Sequence, residues 1–135
     1  MLKTIIDSVV EKFEDAGVEN VYSSFDACPV EKKGSLFTVV GIGALETSAP
    51  IYTLAYAYIP FRYGADINVT ASKSMSADEL CTYYQRDIEP VLLSMTDLEC
   101  SLKKLSLKFD SNIQRLVLNV KADICGITRI ERSIS

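Results

Sequence analysis

Histidine is absent from the 135 residues, so the commonest general base and metal ligand of proteins is missing. The four cysteines, Cys28, Cys81, Cys100 and Cys125, stand in no C-x-x-C spacing. A thiolate among them would lack the imidazole that usually activates it. Carboxylates remain the one route to acid–base chemistry. Asp7, Glu11, Glu14 and Asp15 fall on the polar side of an apolar stripe and read as a solvated helix face. Asp78 sits where an acid favours the positive end of a helix, and Asp66 lies in a polar stretch nearby. Tyr83 and Arg86 have the types to hold an anion, but read more simply as surface residues of one helix. Gly41 and Gly43 make a G-x-G after an apolar run. The third glycine and the following helix of a dinucleotide-binding turn are missing, so a bulge or a close backbone approach is expected there. Tyr52, Tyr56 and Tyr58 would suit stacking on a ligand or a base, yet no basic residue interleaves with them, and an aromatic strand is more often core or interface. No catalytic, cofactor-binding or metal-ligating residue is assigned. Neither an enzymatic activity nor a cofactor is expected.

The totals agree with a folded domain. The chain is 48% hydrophobic and 24% charged, with a net charge of −4. That composition excludes a disordered chain and fits one domain spanning residues 1–135. Lys and Arg are scattered, with only the pairs Lys32-Lys33 and Lys103-Lys104, so specific nucleic-acid binding is not expected. No apolar run approaches the roughly 20 residues that cross a bilayer. The opening MLKTIIDSVVEKF is amphipathic and carries acids, unlike a secretory h-region, so reduced cysteines and a cytosolic setting are expected.

The element on which the chain is organised is Ile51 to Tyr63, IYTLAYAYIPFRY. Read as one strand, it places Tyr52, Leu54, Tyr56 and Tyr58 on one side and Ile51, Thr53, Ala55, Ala57, Ile59 and Phe61 on the other. Neither side is polar, whereas a one-sided antiparallel strand alternates apolar with polar. Both faces therefore need a cover: the chain's own helices on one, and another copy on the other. Tyr52, Leu54, Tyr56, Tyr58 and Phe61 are the candidate oligomer interface.

Around that strand, Leu2 to Ala16 predicts a helix, with Leu2, Ile5, Ile6, Val9, Val10 and Phe13 in one stripe and Gly17 at the left-handed C-cap. Val18 to Phe25 holds a short edge strand; Pro29 and Glu31 to Gly34 mark a loop. Leu36 to Glu46 is a strand that should pair with Ile51 to Tyr63 at the centre of the sheet. Gly64 to Met75 reads as a polar connection, either a surface loop or an assembly arm. Ser76 and Glu79 form an S-x-x-E capping box on a second helix whose stripe is Leu80, Tyr84, Ile88, Val91, Leu92 and Met95, with a kink or restart at Pro90. Leu98 to Phe109 alternates with a one-residue slip at Lys103-Lys104, which predicts a β-bulge. After the turn residues Asp110-Ser111-Asn112, Arg115 to Cys125 returns with Leu116, Leu118, Val120, Ala122 and Ile124 inward; Gly126 ends it and the tail frays or docks on a neighbour. The order α-(β)-β-β-α-β-β predicts an α+β fold, a mostly antiparallel sheet of four to five strands with two helices on one face.

This layout, with IPFRYGAD leading into SADELCTYYQRDIEPVLLS and closing on IQRLVLNVKADICGI, resembles the small tail-terminator (tail-completion, minor tail) proteins of long-tailed bacteriophages and prophages over nearly the whole chain. The resemblance implies a non-enzymatic structural subunit without cofactor. It would form a homo-oligomeric ring, hexameric in many members, that caps the tail tube and meets the head–tail connector. It would assemble in the bacterial cytoplasm and end in the virion tail. The alternative is a small soluble module that binds a ligand or a protein.

Overall fold

The computed structural model describes residues 1–26, 33–41 and 43–133. The predicted loop residues Pro29 and Glu31, and Cys28, lie outside them.

Helix α1 (Leu2–Asp15) forms as its periodicity predicts. Ile5, Ile6, Val9 and Phe13 are buried on the sheet, with Leu2 and Val10 at the margin. Burial of each such side chain contributes roughly 1.5–3 kcal/mol, which outweighs helix propensity. The helix stops in a Schellman turn. The Gly17 amide donates to the Glu14 carbonyl at 3.0 Å and the Val18 amide to the Phe13 carbonyl at 3.0 Å. Gly17 has φ of +88°, where a Cβ would be strained. Lys12 then ties α1 to the start of the last hairpin by a 2.5 Å contact with Asp97, whose carboxyl is held low by that hydrogen bond.

The sheet has seven strands, more than the four to five expected, and is mixed. Its strands are β1 (Val21–Ser23), β2 (Phe37–Gly41), β3 (Leu45–Thr47), β4 (Ile51–Tyr52), β5 (Tyr56–Thr70), β6 (Glu99–Asp110) and β7 (Arg115–Glu131). The order is β1-β2-β5-β7-β6, and β3 and β4 also pair with β5. The β1–β2 pair is parallel and all other pairs are antiparallel. Both long central strands bury alternate residues. Ala65, Ile67 and Val69 of β5 lie beside Leu118, Val120 and Ala122 of β7.

The second helical region starts at the predicted capping box. Ser76 Oγ accepts from the Glu79 amide at 3.1 Å, and Glu79 Oε1 accepts from the Ser76 amide at 3.3 Å. Helix α2 (Ala77–Tyr83) runs into a π-type turn (Tyr84–Ile88) and restarts as α3 (Glu89–Leu93) with Pro90 in its first turn. Proline has no amide hydrogen, so the ladder is interrupted there. The turn widens instead, and the Glu89 amide reaches back to the Tyr84 carbonyl. Leu80, Tyr84, Ile88 and Leu92 join the same core as α1. Both helical regions thus cover one face of the sheet.

Leu36 to Glu46 is not one strand but β2 and β3, and four further expectations change. Ile51–Tyr63 is not one strand. Thr53 folds it into a hairpin: its amide donates to the Tyr56 carbonyl at 2.8 Å, and its Oγ1 accepts from the Tyr56 amide at 3.0 Å. Second, Gly64 to Thr70 is not a loop but the continuation of β5, so only the short link from Ala71 to Ser76 connects β5 to α2. Third, Gly126 does not end β7; the tail Ile127–Glu131 pairs with Tyr56–Pro60. A Cβ at Gly126 would come within 2.6 Å of Leu98 and 3.0 Å of Phe61, so this glycine makes room rather than a stop. Fourth, β5 and β7 form the centre of the sheet, and β2 lies beside them. The Lys103-Lys104 slip is a bulge, as expected: the β6–β7 register shifts between Leu102 and Lys104.

Candidate interaction surface

The five candidate interface residues do not share a face. Tyr52 pairs with Ala57 and Ile51 with Tyr58, so Tyr52 points to the helix side of the sheet and Tyr58 to the open side. Tyr56 joins Tyr58 on the open side, with ring centroids 6.2 Å apart. Leu54 is the tip of the hairpin and is 81% exposed. Phe61 is a core residue, 7% exposed, and is buried with α1.

What the structure does bring together is an arm. Beyond Phe61, the end of the sheet consists of β4, the first residues of β5 and the last of β7. Ile51, Tyr52, Leu54, Ile127 and Ile130 are exposed there, and none belongs to the core. Two arginines from β7 reach the tyrosines. Arg129 lies 4.4 Å from the Tyr56 ring and Arg132 lies 5.0 Å from the Tyr52 ring. Arg132 also donates to the Thr53 carbonyl at 2.7 Å through its side chain and to the Ala55 carbonyl at 2.8 Å through its backbone. The tip is therefore held in one conformation although it is exposed. Basic residues do interleave with the tyrosines, contrary to the sequence expectation. They come from more than 70 residues along the chain, through strand pairing that the neighbouring sequence does not reveal.

Among the described residues the arm has an unpaired edge on each side. On one side the outer edges of β3 and β4 face outward; on the other, β7 from Gly126 to Glu131 has lost its β6 neighbour, whose pairing starts at Glu99–Cys125. The free edge of β6 itself is of a different kind. It carries the bulge and Lys103, Lys104 and Lys108, features that hinder strand addition.

An apolar open face was expected of the central strands alone, and there the expectation fails. The middle of the open face is polar. Asn119 donates to Asp66 at 2.6 Å and to Asn68 at 2.9 Å, Arg62 pairs with Glu46 at 2.7 Å, and Lys103 lies 3.6 Å from Asp123. Such a face tolerates water. Gly43 has the close backbone approach expected of it: a Cβ there would overlap the Gly64 carbonyl.

The other chemistry-bearing residues are spoken for. Arg86 binds its neighbour Asp87 through Nε at 3.1 Å and Nη2 at 2.8 Å, which offsets its charge within its own turn. Tyr83 and Arg86 line a cleft of about 530 Å³ between the C-terminus of α1 and the α2–α3 region. Cys81, Cys100 and Cys125 are free thiols. Cys100 and Cys125 stand on adjacent strands but on opposite faces, since Cys100 pairs with Ile124 and Cys125 with Glu99. Burial pushes the Cys100 thiol up to about 11. Among the described residues no cluster of three or more His, Cys, Asp or Glu could hold a metal, and no helix is long and apolar enough to cross a membrane.

Burial pushes the Tyr84 phenol up to about 12, with the Glu89 carboxylate adding to the shift, and raises Tyr63 further still. Tyr63 donates its hydroxyl to the Gly41 carbonyl. Both groups are acids held protonated by the fold. Their contribution to stability is complete below the ordinary phenol range, near pH 10, and is lost as pH rises through about 12. In an ultraviolet phenolate titration, two tyrosines should therefore ionise late and together with loss of the folded circular-dichroism signal. Ionisation of all tyrosines while that signal persists would contradict this burial.

No protein-family model matches the chain, and no curated protein matches it.

Proposed function

We infer that the chain is a non-enzymatic structural subunit that assembles with copies of itself into a closed ring, in the manner of the phage tail terminators its layout resembles. The observation that carries this reading is the arm. It holds apolar side chains on both faces, outside the core, with an unpaired edge on each side. Monomeric proteins seldom leave such a group uncovered. Unlike edges on opposite sides of one element favour head-to-tail contacts, which close into rings when the rotation permits. Tyrosine and arginine, the two residue types the arm combines, are enriched at interface centres. The ring would sit on the end of a tail tube and meet the head–tail connector, in the bacterial cytoplasm during assembly and in the virion afterwards.

Light scattering after size exclusion, over a range of concentrations and salt, tests the reading. The expected result is one discrete oligomer, hexameric by the resemblance, or a monomer that converts to it on concentration. A monomer under every condition would instead favour a small binding module, which would use the cleft beside Tyr83 as its pocket.

A further inference from the structure

The arm and the large cleft lie at opposite ends of α1. A small cavity lined by Thr4, Ile5, Ser8, Phe61 and Ile127 places the root of the arm beside the first turns of the helix. The large cleft begins at Ala16 and Gly17, past its last turn. With 14 residues at about 1.5 Å each, the helix separates the two by on the order of 20 Å. The arm of one copy therefore cannot fill its own cleft.

The two surfaces complement one another. The cleft has a mixed lining, apolar at Val18, Leu36, Tyr83 and Val91 and polar at Glu19, Asn20 and Ser35. Its mouth is at the C-terminal end of α1, where the helix dipole is negative. Asp87 in the same wall is held by Arg86. The arm presents Leu54 at its tip with Ile51 and Tyr52 behind it, all exposed. It carries two exposed arginines, Arg129 and Arg132, against the single carboxylate of Glu131. The tip is already ordered by the Thr53 and Arg132 hydrogen bonds, so docking would cost little conformational entropy. A knob of net positive charge with an apolar tip at one end, and a cleft of mixed lining and net negative charge at the other, make a head-to-tail pair.

We propose that the Leu54 tip of one copy inserts into the cleft between α1 and the α2–α3 region of the next copy, a second copy of this chain being the occupant of both surfaces. This rests on the ring reading and names the contact that joins its members. The test is site-directed cross-linking of the full chain. Leu54→Cys and Ser35→Cys, at the exposed tip and on the exposed cleft wall, are combined in a Cys28→Ser/Cys81→Ser/Cys100→Ser/Cys125→Ser background and treated with a short bis-maleimide. The expected result is a ladder of covalent dimers, trimers and higher multimers from the double variant, and dimers when the two single variants are mixed. Light scattering is run on the same samples. A discrete oligomer without the ladder, or with Leu54–Leu54 dimers only, overturns the arm-in-cleft contact and leaves the ring reading standing. A monomer with no cross-link at any concentration overturns both. Undiminished assembly of Leu54→Asp means that the cleft takes another ligand and also overturns the proposal.

Discussion

Phe13→Ala is expected to lower the stability of the fold by about 3–5 kcal/mol, read as a fall in the urea midpoint with little change in slope. Phe13 is fully buried and belongs to the one core cluster that α1 shares with the sheet and the second helical region. Its carbonyl also receives the Val18 amide that closes the helix. Truncation removes the apolar contacts of a fully buried ring, and a close-packed core closes only part of the space left behind. Domains of this size are stable by only about 5–15 kcal/mol, so about a fifth of the total or more would be lost. Glu11→Lys, exposed on the same helix, should change stability by less than about 0.5 kcal/mol. Equal costs for the two would mean that α1 is not anchored through this stripe.

The features legible in the sequence were those set by local chemistry. The stripe of α1 and its Gly17 cap, the Ser76–Glu79 box, the restart at Pro90 and the slip at Lys103-Lys104 each depend on residues within a turn or two of one another. The failures share a cause. Gly64 to Thr70 looked like a loop because Asp66, Asn68 and Thr70 are polar. Yet Ala65, Ile67 and Val69 alternate with them, and each is at most 3% exposed. Asp66 and Asn68 face the open side of the sheet, where Asn119 donates to both from another strand. Thr53 was missed as a turn because it bends the chain with a hydroxyl, without glycine or proline. Gly126 was read as punctuation, whereas the missing side chain accommodates Leu98 and Phe61. The errors at Thr53 and Gly126 hid the arm. The aromatic residues of the candidate interface were recognised, but their grouping was not. Grouping depends on which strand pairs with which, and the partners Arg129 and Arg132 lie in a tail that had no visible reason to be ordered.

The second large effect concerns assembly. Leu54→Glu is expected to reduce the self-association constant by about 100-fold or more, since each tenfold corresponds to only about 1.4 kcal/mol and an uncompensated charge at a desolvated interface centre costs several kcal/mol. Leu54 touches no part of the core, so the urea midpoint of the variant should match that of the parent. Phe61→Glu separates the two roles. Phe61 stands a few residues along the same hairpin but is buried under α1, so the charge there should unfold the monomer rather than dissolve the assembly. Tyr58→Glu reports on the open face of the arm, and its effect should fall between the two, because Tyr58 is half-buried against its neighbour Tyr56. Sedimentation equilibrium alongside urea titration distinguishes these outcomes. If Leu54→Glu were no more disruptive than Glu11→Lys, the exposed tip would lie outside any contact between copies, and the joining surfaces would have to be the unpaired edges of β4 and β7 alone.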